Sequence, residues 1–118
     1  MKRIEIEVLK PSEALNAFKN TWNAAKGNKK VTPRIVFGSL RELFSSITEK
    51  RMEVIRFIAA HEGLNTRQVS HELARDYKNI HTDVSHLIEI GLLEKDEDGL
   101  LYSPYDEIVI HTNIRDVA

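Results

Sequence analysis

An α+β fold is predicted by three features of the chain. Residues 3–9 and 107–113 alternate apolar and polar side chains, which is the period of a strand. The middle of the chain carries apolar residues at helical spacing, most clearly over residues 65–91. Asp98-Gly99, a turn dipeptide of the type I′ kind, then sits between apolar residues and reads as a short hairpin. Two helices joined by a tight turn and followed by a hairpin is the order of a winged helix-turn-helix, here behind a strand–helix–strand extension. The expected layout is 1–38 for the extension, 39–104 for the winged helix-turn-helix and 105–118 for a C-terminal strand that returns to the extension, all in one compact domain.

The first strand turns Ile4, Ile6 and Val8 inward. Pro11-Ser12-Glu13 opens a helix whose apolar stripe is Leu15, Phe18, Trp22 and Ala25, and Gly27-Asn28 ends it. Lys26, Lys29 and Lys30 form a small basic loop, read as a solvated connection. A β-branched run over 34–37 follows Pro33 as a second strand, and connections this short imply a crossover with the two strands parallel. Ser39 caps the next helix with Glu42 in the capping-box position, and Leu40, Leu43, Phe44 and Ile47 face inward. Thr48 caps a helix over 49–61 that stops at Gly63 and buries Met52, Ile55, Phe57, Ile58 and Ala59. Asn65, with Gln68 three residues on, opens the helix of Val69 and Leu73. The chain breaks near Ala74-Arg75. Asp76 caps the last helix, on which Tyr77, Ile80, Val84, Leu87 and Ile88 form one stripe before Gly91; Tyr77 is either the first core residue or a phosphate contact, and the core reading is preferred. The final strand pairs with the first, since neither rests comfortably as an open edge.

The other face of the last helix carries Lys78, Asn79, His81, Thr82, Ser85 and His86. A helix that reads DNA needs short polar side chains of this kind on its N-terminal half, where they reach base edges in the major groove. The bland reading of such a face is a solvated one. The chain resembles the MarR-like winged-helix predicted transcriptional regulators of bacteria and archaea. The resemblance covers 37–110 and rests on 39–44 (SLRELF), Thr48-Glu49-Lys50-Arg51, Tyr77-Lys78-Asn79-Ile80-His81, Asp83-Val84, Gly91-Leu92 and Pro104-Tyr105-Asp106-Glu107-Ile108. Thr82 departs from it where a basic residue is expected, and Ala74 where a turn glycine is more usual. The resemblance implies a winged-helix fold and transcriptional regulation. It also suggests a protein partner of the toxin–antitoxin kind, encoded alongside.

Composition narrows the field. The chain has 118 residues, 42% hydrophobic and 30% charged, as in an ordinary globular domain. It has no cysteine, hence no disulfide, thiolate metal site or cysteine nucleophile. The five histidines show neither H-x-x-x-H nor H-E-x-x-H spacing, so no metal is expected. No P-loop, G-x-G-x-x-G or G-x-S-x-G is present, and the expectation is a non-enzyme without a cofactor. Apolar runs are too short to span a membrane, the start is no signal peptide, and a cytoplasmic setting follows. The net charge of −1 argues against a non-specific nucleic-acid coat but allows a reader whose positive charge lies on one face.

The expected function is therefore a sequence-specific transcriptional regulator that binds double-stranded DNA as a homodimer, because one short helix makes too few base contacts alone. Lys78, Asn79, Thr82 and His86 would read bases or adjacent phosphates, with His81 and Ser85 on the same face. Arg67, Gln68 and Arg75 would hold the backbone, helped by the amides at the start of the Asn65 helix. Lys95 would be the hairpin's one useful contact, since Asp96-Glu97-Asp98 at its tip repel phosphate. The rival is a protein-interaction module on the same fold, in which the strands and the Trp22 helix of the extension bind a partner at a sheet edge.

Overall fold

The computed structural model describes residues 1–10, 15, 19 and 32–115. Its elements are β1 (Arg3–Val8), β2 (Arg34–Phe37), α1 (Leu40–Ser46), α2 (Glu49–Ala60), α3 (Thr66–Glu72), α4 (Tyr77–Glu89), β3 (Glu94–Lys95), β4 (Leu101–Tyr102) and β5 (Glu107–His111), an α+β fold. The expected Trp22 helix and lysine loop lie outside the described residues, apart from Leu15 and Lys19, which are helical and exposed. Among the described residues no helix is long and apolar enough to cross a membrane. Two units are distinct: Met1–Phe44 with Glu107–Ala118, and Ser45–Asp106.

The first unit is built on a sheet of order β2-β1-β5. Both pairings are parallel, with Ile6 beside Ile35 on one side and beside Ile110 on the other. Period-two alternation then sorts the side chains onto two faces. Ile4, Ile6 and Phe37 are buried on the apolar face. The other face is charged: Arg34 Nη2 lies 3.1 Å from Glu7 and 4.0 Å from Glu5, and Arg3 pairs with Glu107.

The second unit shows how local sequence sets helix ends. Thr48 Oγ1 accepts the Arg51 amide at 3.1 Å and starts α2. Asn65 and Gln68 make a complete capping box at the start of α3, both bonds 2.8 Å. Asp76 accepts the Asn79 amide at 3.3 Å and starts α4. Both α3 and α4 end in the same paired hydrogen-bond motif. In α4 the amides of Gly91 and Leu92 reach back to Ile88 and Leu87, with Gly91 at φ +91°. In α3 the amides of Ala74 and Arg75 reach back to His71 and Ser70, and here an alanine takes the left-handed turn, at φ +52°. The break expected at Ala74-Arg75 is this motif.

Val54, Ile58, Val69, Ile80, Val84, Leu87, Leu92, Leu93 and Leu101 are buried as one core in this unit. Each such side chain is worth about 1.5–3 kcal/mol relative to exposure. Leu64 bridges Leu101 through a 2.8 Å bond from the Leu101 amide, which ties the start of α3 to β4. The β3–β4 turn differs from the type I′ expectation, because only Gly99, at φ +81°, is left-handed. A type I′ turn needs positive φ at both central residues. Here Gly99 N–H closes on the Asp96 carbonyl at 3.1 Å, and Asp96 Oδ1 takes the amides of Asp98 and Leu100, each at 2.9 Å. Partial burial, and then the Asp96 carboxylate, push the Tyr102 phenol above its ordinary range.

Three inward assignments change. On α2 it is Val54 that is buried, while Ala59 is exposed. On α1 only Leu43 of the apolar residues is buried; Leu40 and Phe44 are 44% and 65% exposed. Tyr77 is 38% exposed rather than core.

Candidate nucleic-acid interface

Helix α4 has two faces of different chemistry. Ile80, Val84 and Leu87 are fully buried on one side, and Lys78, Asn79, His81, Thr82 and Ser85 are exposed on the other. The orientation is fixed by Asp83, which lies on the inward side between Ile80 and Leu87. Its Oδ1 accepts Arg51 Nε at 3.0 Å and its Oδ2 accepts Arg75 Nη2 at 3.0 Å. Arg51 also donates to the carbonyls of Ser45 and Ser46, both at 3.1 Å, where α1 ends. One carboxylate thus joins α2, the α3–α4 turn and α4. It faces two guanidiniums, so the cluster keeps one net positive charge.

The expected contact residues separate on this geometry. Lys78, Asn79, His81, Thr82 and Ser85 share the exposed face, and Arg67 and Gln68 are exposed on α3. Arg67 lies over the Tyr77 ring at 4.4 Å, so these two residues connect the helices on the outside. Tyr77 also leans on His81, with ring centres 5.8 Å apart. Thr82 Oγ1 donates to the Lys78 carbonyl at 3.0 Å, which holds a methyl and an acceptor outward. Two members turn elsewhere. Arg75 is half-buried with its charge directed at Asp83, and His86 is half-buried with Nε2 enclosed and without a hydrogen-bond partner among the described residues. Lys95 is exposed on β3, next in the chain to the acidic Asp96-Glu97-Asp98 tip. The amides of the capping box are already satisfied by Asn65 and Gln68 side chains, so the Gln68 carbonyl is engaged too.

Arg51 and Asp83 were absent from the expected site. The signal was a carboxylate placed three residues after Ile80 and four before Leu87, inside an apolar stripe, where it must find a partner. Among the described residues no three His, Asp or Glu side chains gather as metal ligands would.

No curated protein and no solved structure matches the chain. The HVO_A0114 family model matches residues 46–110, which hold the whole of this interface. As that stretch is more than half of the 118 residues, the chain belongs to the HVO_A0114 family.

Proposed function

We propose that the chain is a MarR-like winged helix-turn-helix regulator of transcription, cytoplasmic and non-catalytic, which binds double-stranded DNA as a homodimer. Helix α4 is the reader. The observation that carries this reading is the exposed run of Lys78, Asn79, Thr82 and Ser85 on a helix whose opposite face is locked by the core and by Asp83. Asn79 suits a bidentate contact to adenine, and Lys78 suits guanine or phosphate. Arg67, held against Tyr77, takes the adjoining phosphates. The helix order α2-α3-α4, followed by the β3–β4 hairpin, supports the winged-helix assignment. The hairpin adds little to binding, since its tip is acidic.

A protein-interaction module on the same fold is the second reading. The exposure of Leu40 and Phe44 favours it, as does the near-neutral charge. Selection of bound duplexes from a random pool distinguishes the two. A recovered consensus, bound more tightly than random duplex at about 150 mM salt, supports the regulator. Equal binding to selected and random DNA replaces it with the interaction module.

A further inference from the structure

The sheet of the first unit has two edges, and they are unlike. The β2 edge is four residues long and turns the backbone groups of Arg34 and Val36 outward, so a charged residue opens it. The β5 edge is Glu107-Ile108-Val109-Ile110-His111. The amide of Glu107 bonds the Lys2 carbonyl, so Glu107, Val109 and His111 direct their backbone groups at β1. By alternation Ile108 and Ile110 turn both N–H and C=O to the open side, where no strand among the described residues pairs with them. Burial on the apolar face also falls away toward this edge: Ile6 is fully buried, while its neighbour Ile110 is 49% exposed.

We propose that β5 is the dimer contact, two copies pairing antiparallel about a two-fold axis at Val109 to form one continuous six-stranded sheet. This rests on the homodimer part of the reading above and names its surface. The strand is self-complementary in that register. Ile108 of one copy lies opposite Ile110 of the other, and these are the residues whose backbone groups no described strand engages, so each such pair exchanges two hydrogen bonds. The two pairs give four. Their side chains fall on the apolar face, where the partner's Ile108 covers the exposed Ile110. On the other face Glu107, already beside Arg3, meets the partner's His111, so a carboxylate stands opposite an imidazole that can donate to it. A one-residue slip would set Ile110 against Glu107, or Ile108 against His111, and misalign the outward backbone groups.

The test is sedimentation of the full chain without DNA, from about 1 to about 100 µM. The parent is expected to be a dimer. Ile110→Lys places a charge on the edge, and Ile110→Pro removes an outward N–H without touching the β1 ladder. Each is expected to weaken dimerisation roughly a hundredfold or more while the thermal melt remains cooperative. Val36→Lys on the opposite edge and Phe44→Lys on α1 are expected to leave the dimer intact. A monomeric parent, or a dimer lost only with Val36→Lys or Phe44→Lys, overturns the proposal. The outcome is separable from DNA recognition: a β5 dimer without DNA preference leaves this interface standing, and a monomer that selects a duplex leaves the reader standing.

Discussion

The two faces of α4 differ in what they contribute. The inward face holds Ile80, Val84 and Leu87 in the core and Asp83 in an ion cluster with Arg51 and Arg75. The outward face holds Lys78, Asn79, His81, Thr82 and Ser85, all exposed, with Tyr77 against His81 and Thr82 on the Lys78 carbonyl as contacts within the helix. Stability is thus concentrated on one side of a single helix. The composition of the other side is left free of packing demands, and recognition can be placed there.

The sharpest way to break that division is Val84→Asp. An unpaired carboxylate in the core is expected to cost about 4 kcal/mol and to abolish cooperative melting near room temperature; a parent-like melt would reverse the assigned helix phase. Asp83→Ala comes next. It leaves Arg51 and Arg75 facing each other with little exposure, and a loss of about 3 kcal/mol is expected in denaturant unfolding. The outward face is probed by Asn79→Ala, expected to lose about 1–3 kcal/mol on a selected duplex and to relax one base pair, with stability changed by less than about 0.5 kcal/mol. Lys78→Ala, in the same salt-series titration, is expected to weaken all sequences alike and to shallow the salt slope by about one unit. Ala74→Gly is the smallest change and has the opposite sign. Relief of the left-handed alanine is expected to stabilise the unit by about 1 kcal/mol, read as a rise in melting temperature with DNA binding unaltered.

Much of the second unit was readable because helix ends are decided within four residues. Thr48, Asn65 with Gln68, Asp76 and Gly91 all act where their spacing placed them. The strands were readable from period two, and their pairing from the short crossover and the discomfort of an open edge. The exposed Leu40 and Phe44 were not, since periodicity defines a face but not what lies against it. Arg75 looked like a phosphate contact because its partner, Asp83, lies on the next helix. Arg51 meets the same carboxylate from 32 residues away, a distance no local pattern spans. The turn at Asp98-Gly99 was misjudged because the dipeptide allows two loops, and the Asp96 side chain selects the longer one.

The order of the strands has a consequence for how the chain acquires its fold. β1 is the central strand, yet β5 is made about a hundred residues later, and Arg3 and Glu107 are 104 positions apart. Closing so long a loop in an unstructured chain costs about 4 kcal/mol of entropy. Prior folding of 45–106, a compact unit of its own, removes most of those residues from the loop. During synthesis the helical unit can therefore form while Ile4 and Ile6 still lack one flank of their sheet. β1, made before both of the strands that flank it, is among the last to be completed, and until His111 emerges it presents an apolar edge to whatever is near.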